Sequence, residues 1–283
     1  MQLNINDVII SIENFMEEDY RTVHTQMIKD MTNKKIKNRD IIKNAFSTAV
    51  KLAPEANPSD LWHHVIYRMY LAELHNYRII SDVGQSWKRA SGDAFELFLT
   101  DYYNLLLQST SIRLVPLVTD RDRILALSAM NIYGKVGDSK LDIAIIKNYN
   151  GRSLNLESGE VIGGIHAKVS LAERVSDDVP ASIAMMRNGY CSYLFTLDVK
   201  SFPLSETIEA TRAYINKGEL GSPTSPSDKR KYIEEHGSFD ACFSLNLRTT
   251  PSAEITSSGK RIFIMRPNGS RDVFCNLVFE QCK

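Results

Sequence analysis

The decisive stretch of this 283-residue chain reads Gly164-Ile165-His166-Ala167-Lys168-Val169-Ser170-Leu171-Ala172-Glu173-Arg174. Its first half is apolar and continues the run that begins at Val161, which is typical of a strand buried in a sheet. Lys168 ends that strand, and an acid and a base, Glu173 and Arg174, follow soon after. The stretch therefore predicts a buried strand that carries charged side chains to one edge of a sheet.

Further apolar runs on both sides of this stretch predict the rest of the sheet. They cover residues 112–115, 141–146, 161–165, 193–197, 243–247, 261–265 and 273–279, and a helix is predicted over 180–186. We therefore expect an α/β fold in which a mixed central sheet is flanked by helices. The polar segment 217–231 lacks an apolar period and is interpreted as a loop, either one that closes on a ligand or an idle surface loop.

The N-terminal part of the chain is predicted to be helical. Apolar side chains recur at helical spacing over residues 8–16, 41–50, 58–74 and 85–107. Asp7 is the expected cap of the first of these helices, and Asn57-Pro58 is a strong start for the third. No internal repeat and no firm domain boundary is visible. We therefore expect one domain over residues 1–283, of which about 1–84 form a helical N-terminal part.

The composition indicates a globular protein without a membrane span. Apolar residues make up 43% of the chain and charged residues 24%, and no run of 18 apolar residues occurs. The N-terminus lacks the features of a signal peptide. The four cysteines include no Cys-x-x-Cys pair, so we interpret them as reduced thiols of a cytoplasmic protein.

The balance of charge limits the kinds of nucleic-acid binding that are plausible. The formal net charge is zero, which argues against a general nucleic-acid coat protein, since such proteins carry a basic excess. A sequence-specific enzyme remains possible, because it can line one cleft with Lys and Arg and balance them with acids elsewhere.

Several ionisable residues near the decisive stretch suggest phosphodiester hydrolysis. Asp142 stands within an apolar run, Glu96 lies on a predicted helix, and Asp177 and Asp178 follow Lys168. Carboxylates bind Mg²⁺ through oxygen, and the ion neutralises a scissile phosphate while a lysine orients the attacking water. The alternative is that Lys168 is a solvated strand end and Asp142 an ordinary salt-bridged residue.

Other charged residues are candidates for contact with DNA. Arg174 can donate two hydrogen bonds to guanine, and Glu173 can accept one from cytosine, so the pair can read a C·G base pair. The alternative is a surface ion pair at the start of a helix. Lys88 and Arg89 either contact phosphate or are solvated helix charges, and Lys200 faces either a DNA cleft or water.

A family resemblance connects these residues. The segment 86–96, Asp142 and the element from Lys168 to Arg174 resemble the type II restriction endonucleases of the PD-(D/E)XK superfamily, in particular the branch that cuts sites with a CCGG core. The matching motifs lie between about Gln85 and Ser182. The N-terminal helices and the C-terminal third of the chain carry none of these motifs.

The resemblance implies a role for each matching residue. Asp142 and Lys168 match the metal-binding acid and the catalytic lysine, and Glu96 matches an acid carried by a helix. His166 stands where the wider pattern has an acid, so a downstream acid would replace it, and we choose Asp178 over Asp177.

The reading element departs from the family at one place. Glu173 and Arg174 match two residues of the Arg-(Asp/Glu)-Arg element that reads CCGG, but Ala172 stands at the place of its first arginine. One guanine contact must therefore come from elsewhere, and Lys200 is the candidate.

The resemblance also implies an activity and partners. We expect a Mg²⁺-dependent endodeoxyribonuclease in the prokaryotic cytoplasm. It would cut double-stranded DNA at ACCGGT or a close relative, leave 5′ overhangs, act as a homodimer on a palindrome, and have a DNA methyltransferase as genetic companion. The alternatives are a repair or recombination nuclease without site specificity, a non-catalytic DNA-binding protein on a decayed nuclease scaffold, and an enzyme that forms a Schiff base at Lys168.

Overall fold

The N-terminal part of the protein is a β-hairpin followed by helices. The computed structural model describes residues 1–5, 8–136, 141–149, 154–171, 175–200 and 217–281. Strands β1 (Gln2–Ile5) and β2 (Val8–Ser11) pair antiparallel. The helices are α1 (Glu17–Thr32), α2 (Asn38–Leu52), α3 (Pro58–Asp60), a π-helical turn (Leu61–Ile66), α4 (Tyr67–Tyr77) and α5 (Val83–Leu106). Within the described residues, no helix combines the length and the apolarity that a membrane crossing requires.

The helix predicted over residues 8–16 is wrong, because this segment forms β2 and the turn after it. Its β-branched residues suit a strand, and pairing with β1 satisfies the backbone. The helix begins later, at Glu17, where Asp19 accepts a hydrogen bond from the backbone N–H of Met16 at 2.9 Å. The Asn57 cap is confirmed, since its side chain accepts from the Ser59 backbone. Asp7 lies outside the described residues.

The centre of the molecule is a mixed sheet, as predicted, and it has six strands. Its order is β10-β9-β6-β5-β4-β3. The strands are β3 (Arg113–Pro116), β4 (Ile143–Lys147), β5 (Glu160–Lys168), β6 (Cys191–Thr196), β9 (Ala241–Ser244) and β10 (Arg261–Ile264). From β5 to β10 the neighbours run parallel, whereas β4 is antiparallel to both β5 and β3. The carboxyl ends of β5, β6 and β9 therefore meet at one edge.

Helices cover both faces of this sheet. Helix α6 (Asp120–Ala129) connects β3 to β4, and α7 (Val175–Arg187) connects β5 to β6. Side chains of β5 alternate between the faces. Ala167 packs in the core shared with α5, while Leu194, the β6 partner of His166, packs with Val175 of α7. Helices α5 and α7 therefore lie on opposite faces.

The C-terminal third differs from the prediction in two places. The segment interpreted as a loop over 217–231 forms a hairpin of β7 (Gly221–Ser222) and β8 (Ser225–Pro226), followed by helix α8 (Asp228–Glu234). The fully buried Arg230 donates hydrogen bonds to the carbonyls of Leu220 and Gly221 within this segment, and it ties the segment to the body by donating to the carbonyl of Thr250.

The strand predicted over 273–279 is also wrong, since Val273–Gln281 form helix α9. The Asp272 carboxylate accepts a hydrogen bond from the backbone N–H of Cys275 at 3.1 Å, as a helix cap does.

The pairing of β5 with β6 yields a test of the fold. Gly163 lies opposite Cys191, and a Cβ atom at Gly163 would stand 2.1 Å from Cys191 Sγ and 2.3 Å from its carbonyl oxygen. Gly163→Ala is therefore expected to lower the free energy of unfolding by about 1–3 kcal/mol through overpacking. Denaturation in urea measures this change.

The matched control is Gly92→Ala in α5, where nothing lies within 4 Å of the added atom. This variant should gain about 0.5–1 kcal/mol from the better helix propensity of alanine. Equal stability of the two variants would contradict the close approach of β5 and β6.

Candidate active site

Asp142 and Lys168 meet because β4 and β5 run antiparallel. Asp142 directly precedes β4, and Lys168 is the last residue of β5, so both lie at the same sheet edge. Asp142 Oδ2 accepts hydrogen bonds from the Ala167 backbone N–H at 2.7 Å and from Lys168 Nζ at 2.9 Å. Both side chains are buried. The acid and the lysine that the sequence singles out are thus direct partners.

Asp178 completes the charged cluster from one face of the sheet. It lies in the first turn of α7 and is fully buried, and its Oδ2 stands 3.0 Å from Lys168 Nζ. The N-terminal end of a helix favours such a negative charge. Asp177, its neighbour, is exposed. The geometry therefore favours Asp178 over Asp177 as the downstream acid.

His166 shares this face with Lys168, because the two residues are two positions apart on β5. The His166 ring is fully buried, with Nδ1 3.8 Å from Asp178 Oδ1 and the ring against the edge of Phe239. Neither ring nitrogen has a hydrogen-bond partner among the described residues. His166 therefore lies beside Lys168 on β5, and the carboxylate next to its ring is that of Asp178 from α7.

Glu96 lies on α5, which covers the opposite face of the sheet, and its side chain is half-buried. Burial is the main cause that raises its pKa to about 8, and the negative charges of Asp142 and Asp93 add to the effect. Because the charges of Asp142 and Lys168 both act on this carboxyl, Glu96 lies within electrostatic range of the cluster, although the sequence separates them widely. Glu96 is therefore the fourth predicted site residue that the fold brings to this edge.

The electrostatics of the cluster keep its lysine positively charged. Burial disfavours the charged form of Lys168, but the carboxylates of Asp142 and Asp178 outweigh it and raise the lysine pKa. Burial also disfavours the charge on Asp178, but His166 and Lys168 outweigh it and lower the pKa of that acid. The cluster is thus one ammonium shared by two buried carboxylates.

The donor set of this cluster suits a hard divalent cation. Both hydrogen bonds that Asp142 accepts end on Oδ2. Lys168 Nζ likewise stands beside Asp178 Oδ2, while Asp178 Oδ1 accepts no hydrogen bond from the described residues. Burial first, and the charges of Asp142 and Asp93 second, raise the pKa of Glu96, and a bound cation would favour its charged form. Within the described part of the chain, no three His, Cys, Asp or Glu side chains already stand close enough to hold a metal.

Only some of the residues predicted to contact DNA lie within the described part of the chain. Lys88 and Arg89 are exposed on α5, less than three turns before Glu96, and Arg89 lines a groove with Lys37 and Arg39. Lys200 is exposed just after β6. Residues 172–174, which include Ala172, Glu173 and Arg174, lie outside the described residues.

Sequence reasoning missed a second cluster beside this edge. Glu219 is buried and accepts hydrogen bonds from Ser170 and Leu171, and its own backbone is bound to the buried Asp198. Asp198 follows an apolar strand, as Asp142 adjoins one, and that was the available signal. Nothing in the sequence marks Glu219, which stands in a polar segment.

Comparisons with known proteins agree with this geometry. The family model "BsaWI restriction endonuclease type 2" matches residues 118–267, which include Asp142, Lys168 and Asp178. The chain is 47% identical over 272 residues to the type II restriction enzyme AgeI of Thalassovita gelatinovora, covering 96% of this chain and 94% of that protein. A solved complex of AgeI with DNA is similar, with a TM-score of 0.87, 45% identity and 99% of each chain covered. These matches confirm the predicted resemblance to type II restriction endonucleases.

The raised pKa of Glu96 yields a test of the cluster without metal. Between its ordinary value of 4.5 and about 8, the folded protein keeps a proton that the unfolded chain has released. The free energy of unfolding of the wild type should therefore fall as pH rises through this window. In Glu96→Gln, the part of this decrease in unfolding free energy that comes from Glu96 is expected to be absent. Urea denaturation with a chelator, at about pH 5 and about pH 8, compares the two slopes.

Glu18→Gln serves as the control, since Glu18 is exposed on α1. It should follow the wild type at both pH values. If Glu96→Gln has the slope of the wild type, then the pKa of Glu96 is not raised in the folded protein.

Proposed function

Because the chain belongs to the BsaWI family of type II restriction endonucleases, we propose that it cuts double-stranded DNA at ACCGGT or a related palindrome with a CCGG core. Family membership makes it a site-specific DNA endonuclease. The proposal adds the site, dependence on Mg²⁺ and 5′ overhangs. The observation that carries it is Lys168 between Asp142 and Asp178 at the end of β5, in a chain 47% identical to a type II restriction enzyme.

Three carboxylates would hold the cation in this proposal. Asp142 contributes the oxygen that Lys168 leaves available, Asp178 approaches from α7, and Glu96 approaches from α5. The chemistry that Mg²⁺ supplies when bound is neutralisation of the scissile phosphate and stabilisation of the leaving oxygen. The raised pKa of Glu96 supports this role, because its charged form needs a nearby positive charge.

Lys168 acts as a cation throughout the reaction. Its raised pKa means that it keeps its proton at neutral pH and does not serve as the base. Its ammonium group can donate a hydrogen bond to the attacking water and balance charge that develops on the phosphate. Asp142 and Asp178 hold the ammonium in place from two sides, and so determine the direction in which it points.

Reading of the site is assigned to the segment that leaves β5. Arg174 would donate two hydrogen bonds to guanine, and Glu173 would accept from cytosine of the same pair. Lys200 is the proposed donor in place of the arginine that Ala172 replaces. Lys88 and Arg89 would contact phosphates and so set the register of the enzyme on DNA.

The proposed recognition sequence on DNA also implies how the enzyme assembles and where it acts. A palindrome presents two equal half-sites, so a homodimer on DNA, with one half-site and one cut strand per subunit, satisfies both. Each subunit would be a single catalytic and DNA-binding domain spanning 1–283, with residues 1–84 as its helical part. In the prokaryotic cytoplasm, a companion methyltransferase would protect the host DNA from this enzyme.

The site and the cofactor are tested together by digestion. A long DNA of known sequence, incubated with Mg²⁺, should yield discrete fragments whose ends map to ACCGGT. Excess chelator should abolish cutting, and re-addition of Mg²⁺ should restore it. The reason is that carboxylates and phosphate are both negative and repel each other unless a cation lies between them. Sequencing of the ends gives the cut position and the overhang.

The other outcomes of the digestion are equally informative. A smear would indicate cleavage without site specificity, as in a repair nuclease. Binding without cleavage would indicate a DNA-binding protein on a decayed scaffold. Either result contradicts the proposal.

The role of Lys168 is tested by Lys168→Ala. The variant is expected to cut at least about a hundredfold more slowly, because a preorganised donor at the phosphate is lost. It should still bind the site, as measured by gel shift with Ca²⁺ in place of Mg²⁺. Circular dichroism checks the fold, since two buried carboxylates lose their partner.

Lys147→Ala is the matched control at the other end of the same pair of strands, where Lys147 lies 3.4 Å from the exposed Glu160. Its cleavage rate should equal that of the wild type. Substantial cleavage by folded Lys168→Ala would contradict the catalytic role.

A further inference from the structure

We propose that Glu219 is a positioning residue for base reading. It fixes the main chain between Lys168, which cuts, and the Glu173-Arg174 pair, which reads. The proposal rests on the reading role proposed above for Glu173 and Arg174. Glu219 has no proposed contact with DNA, and it lies outside the segment from Gln85 to Ser182 that carries the family motifs.

The contacts of Glu219 single it out. The residue is only 3% exposed. Its Oε1 accepts hydrogen bonds from Ser170 Oγ at 2.7 Å and from the Leu171 backbone N–H at 2.9 Å. Ser170 and Leu171 are the last described residues before Ala172, Glu173 and Arg174. One carboxylate oxygen thus holds the point at which the reading segment leaves the sheet.

The second oxygen of Glu219 has a different partner. Lys229 Nζ, on α8, lies 2.7 Å from Oε2. Hydrogen bonds to a buried carboxylate are strong and costly to leave unmade. The lysine therefore compensates the charge of Glu219, while the contacts to Ser170 and Leu171 give the carboxylate its position.

Glu219 is itself anchored to the rigid edge of the sheet. Its backbone N–H donates to Asp198 Oδ1 at 2.5 Å, and Thr249 Oγ1 donates to Asp198 Oδ2 at 2.6 Å. Asp198 is fully buried directly after β6. Gly218 has φ +83, and a Cβ there would stand 2.2 Å from Asp198 Oδ2, so only glycine fits this close approach.

The anchor extends to the neighbouring strand and to the N-terminal helices. The Asp198 carbonyl accepts from Asn246 Nδ2 at 3.0 Å, just beyond β9. Asn246 Oδ1 in turn accepts from Asn57 Nδ2 at 3.0 Å, the residue that caps α3. Glu219 therefore connects the start of the reading segment to several independent elements.

Apolar packing supports the same attachment. Leu171 and Leu220 are both fully buried and belong to one cluster with Val175 at the start of α7. Leu220 adjoins Glu219, and Leu171 is one of the residues that Glu219 holds. The reading segment 172–174 is thus bounded on both sides by residues fixed in one core.

The position of the anchor separates reading from cutting. A bidentate contact between arginine and guanine depends on distance and angle, so a small shift of the main chain at Leu171 weakens discrimination. Lys168 is held by Asp142 and Asp178 and does not depend on Glu219. Loss of Glu219 should therefore relax specificity more than it slows cutting.

Single-turnover cleavage tests the inference. The rate on a duplex with the full site is divided by the rate on duplexes with one changed base pair in the CCGG core. In Glu219→Ala this ratio is expected to fall at least about tenfold, with a smaller loss of rate on the full site. Lys229→Met removes the contact to Oε2 and the compensating charge but leaves both contacts to Oε1, so it should keep most of the ratio. Glu219→Gln, which retains an acceptor for Ser170 and Leu171, should restore it.

The Arg174→Ala variant separates this inference from the function on which it rests. If Arg174→Ala lowers the ratio and Glu219→Ala adds no further loss in that background, the two residues act through one contact, and the inference stands. If Arg174→Ala lowers the ratio and Glu219→Ala alone does not, positioning by Glu219 is overturned while the reading role survives. If Arg174→Ala leaves the ratio unchanged, the reading role fails, and the inference fails with it.

Cleavage ratios are compared only among variants that fold, and thermal unfolding identifies these variants. If Glu219→Ala does not fold, Ser170→Ala replaces it, because that change removes one of the two hydrogen bonds without leaving a buried charge unpaired. Ser170→Ala must then lower the ratio by itself, and an unchanged ratio would overturn the inference. An equal loss of rate on every duplex would indicate a structural role only.

Discussion

The ammonium of Lys168 between the carboxylates of Asp142 and Asp178 is the contact on which the rest of the site depends. All three side chains are buried. Two carboxylates cannot lie so deep in a protein without a positive charge, because neither is compensated by water. The shared lysine therefore joins the start of β4, the end of β5 and the first turn of α7 at one point. These are the three elements that build this edge of the sheet.

The sheet explains why acids can approach this lysine from two directions. Helix α7 covers one face and supplies Asp178, and helix α5 covers the other and supplies Glu96. Lys168 is the last residue of β5 and lies at the edge of the sheet, so elements that cover either face can approach it. The chain that continues beyond Lys168 leads within a few residues to the segment that we propose reads DNA. Cutting and reading then share one strand end, and the anchor at Glu219 keeps them in register.

Errors of prediction arose where a pattern of apolar residues fits two structures. Residues 8–16 contain apolar side chains at helical spacing, but the β-branched Val8 and Ile9 lie in a hairpin that pairs with the N-terminus. Residues 273–279 are apolar enough for a strand, yet Asp272 caps a helix there. In both cases the structure depends on what the segment pairs with or is capped by, and the spacing of apolar residues does not identify that partner. The prediction of a loop over residues 217–231 was wrong for a different reason. This segment is anchored by the buried Arg230, and arginine is a residue type expected at the surface.

The sequence by itself determined the α/β class, most strands of the sheet, and the residues Asp142, Lys168, Glu96 and Asp178 as candidates. It did so because buried strands are apolar, and a charge within or beside such a run stands out. Only the tertiary structure decided that Asp142, Lys168 and Asp178 meet, that Asp178 and not the exposed Asp177 faces the lysine, and that Glu219 holds the chain beyond it. The reason is physical: partners separated by tens of residues become neighbours through the pairing of strands and the packing of helices across them. No local pattern records those distances.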